Sequence, residues 1–197
     1  MTDPLPWPLA DTHLHDDLVR RWSTDRGYHD LTHLREVLEH LVTLGAADDT
    51  ELVLAAWFHD AVYDDAPAPE ERSAALAERL LAHHPVDARE VARLVRVTSH
   101  HRPDPDDRRG QLLVDADLAI LAAGPRRYAD YVAGVRAEYA AVSDVAFARG
   151  RADVLRSLLA KPTLFHTTQA QERWEHAARA NLHREMAELE QAAQDAP

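Results

Sequence analysis

Apolar side chains return every three or four positions through most of the chain, and no stretch alternates like a half-buried strand. Over 12–22, Leu14, Leu18 and Trp22 fall on one helical stripe, and over 30–44 Leu31, Leu34, Leu38 and Leu41 do the same. Asp30 suits the N-cap of that second helix and Gly45 its C-terminal stop. Thr50 is expected to cap a helix over 51–62. Its run LVLAAWF, residues 52–58, is apolar on every face and belongs at the centre of a bundle, with Trp57 and Phe58 in the core. Further helices are expected over 70–83, 87–98 and 112–122, the last preceded by a Pro/Asp/Arg-rich loop over 102–109. Pro125 suits the first turn of a long helix carrying Tyr128, Tyr131, Val132, Val135 and Tyr139. Another helical stretch runs to Leu159 and stops at Lys161 and Pro162. A last one covers 169–193 with Trp174, Leu182, Met186 and Leu189. The expected fold is all-α, a single-domain helical bundle over residues 1–197.

Composition narrows the function. The 197 residues suffice for one sizeable core, and 46% are apolar. No run approaches the roughly 18 apolar residues of a membrane helix. The first residues carry neither a basic nor an apolar leader segment, so a cytoplasmic protein without a membrane partner is expected. Cysteine is absent, which excludes thiolate ligands and a thiol nucleophile. A net charge of −12 repels a phosphate backbone, so no nucleic-acid polymer is expected as partner. The sequence carries no signature of an oligomeric state.

The chemistry lies in histidine and aspartate. Thirteen histidines stand against three phenylalanines. The pair His-Asp occurs three times, as His15-Asp16, His29-Asp30 and His59-Asp60, where composition alone gives about one. Context separates the copies. His59-Asp60 ends the apolar helix, where polar groups are costly unless paired or bound to a metal; His15 reads as an exposed residue on an amphipathic helix. Neighbours on a helix point about 100° apart, so both can reach one ion only near a helix end. His33 lies on the preceding helix. Asp115 and Asp117 interrupt an apolar helix, and two buried carboxylates call for a cation. His29 and His33, four apart, read as one helix face, and either can be the upstream ligand.

With RGYHDLTH (26–33), AAWFHDAVYD (55–64), EERSA (70–74), TSHH (98–101), DADL (115–118), VRAEY (135–139) and EHAARAN (175–181), the chain resembles the HD-domain superfamily of metal-dependent phosphohydrolases, within it a small bacterial subgroup. The resemblance spans residues 26–182. It implies an HD-type bundle with a metal-binding core over about 26–120 and C-terminal helices over about 125–193. It implies His33, His59, Asp60 and Asp117 as ligands of a divalent ion (Mn, Fe, Co, Zn, Ni or Mg), with Asp115 behind them. His29, His100 and His101 become candidates for a second metal or the substrate. Asp64 and Glu70 become candidate acid–base groups, and Arg179 and Asn181 structural or substrate-binding residues. The implied function is hydrolysis of a small phosphorylated metabolite, or a nucleotide, by a metal-activated water. The alternatives are a non-catalytic metal- or nucleotide-binding regulatory module and a di-iron oxygenase.

Overall fold

Many helix starts in this chain are set by short acceptor side chains, while two, at Pro69 and Pro125, open on a proline. Asp11, Asp30, Asp49, Asp87 and Ser143 each accept backbone N–H groups of the first turn that follows, satisfying donors that the helix leaves open. The helices are α1 Thr12–Ser23, α2 Leu31–Thr43, α3 Thr50–Phe58, α4 Pro69–Leu81, α5 Ala88–Thr98, α6 Arg108–Leu118, α7 Pro125–Glu138, α8 Asp144–Leu159, α9 Thr168–Ala170 and α10 His176–Asp195. The computed structural model describes residues 5–64 and 66–195, with side chains to residue 191. Among the described residues there is no strand, and no helix is long and apolar enough to cross a membrane. Gly45 stops α2 as expected, at φ +76.

Three helices differ most from the expectation. The helix expected over 51–62 is capped by Asp49 rather than Thr50 and ends at Phe58. The Trp22 indole takes the carbonyl of Trp57, the N–H of Ala61 turns back to the Phe58 carbonyl, and the N–H of Val62 donates to Ser73 Oγ. Those bonds turn the chain away just after His59, the C-cap of the helix. Helix α6 begins at Arg108 rather than 112, because Asp107 accepts from the N–H of Gly110. It passes into a tight turn over Ala119–Ala122. The last helix is interrupted by a π-helical turn over Gln171–Glu175, which apolar spacing does not signal.

Contacts divide the chain into two compact units, Met1–Asp117 and Leu118–Pro197. In the first, α1 packs on α2, α2 on α3, and α3 on both α4 and α5. Its centre is the wholly buried face of Trp22, Leu34, Leu41, Leu54, Trp57 and Phe58, so α3 occupies the middle as its composition demands. In the second, α10 packs against α8 and the Ala119–Ala122 turn. A buried ion pair lies inside this unit: Arg151 donates to Glu185 at 2.6 and 3.0 Å, and Tyr128 Oη–H donates to the same carboxylate at 2.5 Å.

Loss of a cap of this kind costs about 1 kcal/mol. Asp30→Ala is therefore expected to lower stability by about that amount in urea denaturation. Its carboxylate accepts from the N–H groups of Thr32 and His33.

Candidate metal centre

The early end of α3 makes the site possible. His59 is the C-cap of α3, with its N–H still on the Ala55 carbonyl, and Asp60 follows in the turn, so both side chains reach the same helix end. Ala56 O is one of the carbonyls that a helix end leaves without an intrahelical partner. His59 Nδ1 lies 2.7 Å from it and must be the donor, since a carbonyl only accepts. In a neutral ring that bond puts the proton on Nδ1 and the lone pair on Nε2.

His33 stands in the first turn of α2, 1% exposed, with its Nδ1 2.8 Å from the Tyr28 hydroxyl. Its Nε2 is 3.2 Å from His59 Nε2. Asp60 Oδ2 is 3.3 Å from His59 Nε2, and Asp117 Oδ1 is 3.2 Å from His33 Nε2 and 3.7 Å from His59 Nε2. His33, His59 and Asp60 each offer one donor atom, all within 4.8 Å of one another. Asp117 sits against the two imidazoles from α6. Donors bound to one ion at about 2.0–2.2 Å stand about 3.0–3.5 Å apart; His33 to His59, His59 to Asp60 and His33 to Asp117 fall in that range, and His59 to Asp117 is longer at 3.7 Å. Two imidazoles facing two carboxylates at this spacing could hold a divalent cation.

Charge follows from the packing. Burial pushes the His33 imidazole below its ordinary value of 6.5, opposed by Asp117, so it rests neutral. Burial alone raises the Asp117 carboxyl, but hydrogen bonds from His101 and His33 outweigh it and hold the group well below the usual carboxylate range. For a histidine held low in the fold, the unfolded chain takes the proton first. The metal-free protein is thus expected to lose stability as the pH falls from 6.5 through the His33 value. Urea midpoints at about pH 7.5 and 5.5 check this, and His33→Gln should flatten the difference.

The other candidate residues separate by position. His29 is not on the helix face shared with His33; it precedes the N-cap Asp30, because α2 starts only at Leu31. It stacks on Tyr63 at 4.2 Å and places Nε2 3.8 Å from Asp60 Oδ2, part-exposed at the rim. His101 Nε2 is 2.9 Å from Asp117 Oδ2, whereas His100 turns away and accepts from the N–H of Arg102. Asp64 is bound to Arg72, which lowers its carboxyl to about 2. A carboxylate held there is a poor proton carrier near neutral pH. Glu70 sits part-exposed in the first turn of α4, and no bond among the described residues joins it to the cluster.

Asp115 is wholly buried, about 200° around α6 from Asp117. Arg179 ties Glu175 to the carbonyls of Leu159, Lys161 and Pro162, while Glu175 accepts from the N–H of Leu164. Asn181 donates to the carbonyls of Leu121 and Ala123. Both hold turns within the second unit. His15 is not fully exposed: it packs edge-on against Trp7 and Trp57.

Sequence reasoning missed two residues that position the site. Arg26 donates to the carbonyls of Arg21, His29, Asp60 and Ala61, stapling the loop before α2 to the turn after α3. Tyr28 holds the far nitrogen of His33. Both lie in the segment RGYHDLTH, so the signal was their adjacency to the candidate ligands. A comparison with family models, with curated proteins and with solved structures returns no match.

Proposed function

We propose that the protein is a metal-dependent phosphohydrolase of the HD type, with His33, His59, Asp60 and Asp117 holding a divalent cation and a small phosphorylated metabolite or nucleotide as substrate. The observation that carries this reading is the convergence of those four side chains, with His59 Nδ1 turned to the Ala56 carbonyl and its Nε2 toward the other three.

The cation, when bound, supplies Lewis acidity toward a phosphoryl oxygen and makes a water nucleophilic near neutral pH. The chain's residues do the rest. His33 and His59 donate neutral nitrogens, so Asp60 and Asp117 neutralise a divalent charge and leave the site able to accept an anionic ester. Tyr28 and Ala56 keep the two imidazoles in register. Trp22, with its ring 5.3 Å from that of His59, walls off water on the core side. His29, part-exposed beside Asp60, delivers the proton to the leaving oxygen.

Variants of the two upstream histidines test the assignment. His33→Ala is expected to lose Co²⁺ or Mn²⁺ binding in calorimetric titration. His29→Ala is expected to keep the metal but turn over on the order of 10²-fold more slowly. Equal metal affinity in the two variants sinks the ligand set.

A further inference from the structure

We infer that His101 is a positioning residue that selects which oxygen of Asp117 faces the cation, an inference that rests on the cation reading above. The Asp117 carboxylate is divided between two neighbourhoods. Its Oδ1 points at the buried imidazoles, 3.2 Å from His33 Nε2 and 3.7 Å from His59 Nε2. Its Oδ2 is held by His101 Nε2 at 2.9 Å. A carboxylate left to itself can rotate and present both oxygens to a metal. One whose outer oxygen accepts an N–H is pinned in plane and offers the inner oxygen alone.

The backbone shows that this contact is built in. His101 sits at φ +49, one of only three non-glycine residues in the left-handed region among those described. A residue with a Cβ is disfavoured there, and one held there is often at a functional site. The N–H of His101 closes the end of α5 on the Val97 carbonyl. The left-handed turn then swings this imidazole toward α6. The preceding histidine, with ordinary backbone, bonds to the N–H of Arg102 instead. Glycine is the residue that this backbone prefers, so a purely structural optimum at 101 is glycine and not histidine.

That contrast gives the experiment. Full-length wild-type, His101→Gly and His101→Gln proteins are stripped of metal and titrated with Co²⁺, following affinity, stoichiometry and the visible d–d spectrum. His101→Gly is expected to weaken Co²⁺ binding by about 10- to 100-fold, the usual cost of losing a partner behind a ligand. Its spectrum should change as Asp117 rotates to offer both oxygens. His101→Gln, whose amide N–H can reach Oδ2, should recover most of the affinity and the wild-type spectrum. The metal-free melting temperature of His101→Gly should hold, because glycine suits the backbone; a role in the fold alone moves it down together with affinity, and that result overturns the inference. Two equivalents of Co²⁺ in the wild type with one lost in His101→Gly also overturn it, by making His101 a ligand. So does Co²⁺ affinity in His101→Gly within about threefold of wild type, well short of the expected loss. A wild-type protein that binds no Co²⁺ overturns the cation reading itself.

Discussion

His59→Ala and Asp60→Ala are expected to abolish retention of a divalent transition metal, while His15→Ala leaves it intact. The three variants touch the same dipeptide chemistry in different surroundings. His59 is 1% exposed, with one nitrogen committed to the Ala56 carbonyl and the other facing His33, Asp60 and Asp117. His15 lies at the surface end of α1, bonded to Asp16 and packed on two indoles. Removing a partner behind a ligand costs about 10–100-fold in affinity, so removing a ligand costs more. Elemental analysis after identical desalting measures the metal carried per chain. Equal metal in all three variants would place the ion elsewhere.

The largest effect on stability is expected in the second unit. Arg151 and Glu185 are 8% and 4% exposed in their side chains and bonded through two N–H···O contacts. The Tyr128 hydroxyl gives the carboxylate a third donor, and the Arg151 guanidinium also lies over the Tyr131 ring. Arg151→Ala strands a buried carboxylate, and Glu185→Ala strands a buried guanidinium. Each is expected to cost about 3–5 kcal/mol in urea or guanidinium unfolding. The double variant Arg151→Met/Glu185→Leu removes both charges and keeps the volume, so it should lie far closer to wild type than either single change. Additive losses would show that the pair is not coupled.

The helical pattern was legible because many of the helices carry local punctuation. Asp30 and Gly45 frame α2 in the sequence as they do in the structure, and the run 52–58 announced the central helix. What hydrophobic spacing cannot report is a helix ended by tertiary bonds. Nothing local says that α3 stops at Phe58; the Trp22 indole and Ser73, from α1 and α4, stop it. The site was legible in its residue types and only partly in its geometry. His33 and His29 are indistinguishable by spacing. The N-cap between them puts His33 inside the cluster and His29 at its rim. His100 and His101 are adjacent and alike in sequence, and a single left-handed residue parts them. Asp64 drew notice as a candidate acid, yet its partner Arg72 lies eight residues on, in the first turns of α4. Arg26 and Ser73 act through backbone groups, which no pattern of side-chain types displays.

Phosphate release tests the central claim most directly. Purified full-length protein, loaded in turn with Mn²⁺, Co²⁺, Ni²⁺, Zn²⁺, Fe²⁺ and Mg²⁺, is assayed across a panel of nucleotides and sugar phosphates, with and without chelator. The account predicts release from at least one substrate, loss of release on chelation, and recovery on adding back the metal. Asp117→Asn changes one charge in the cluster and leaves the helix pattern of α6 alone, so it should lose turnover while its metal-free melting temperature holds. No release across the panel from protein with metal demonstrably bound would contradict the hydrolase reading.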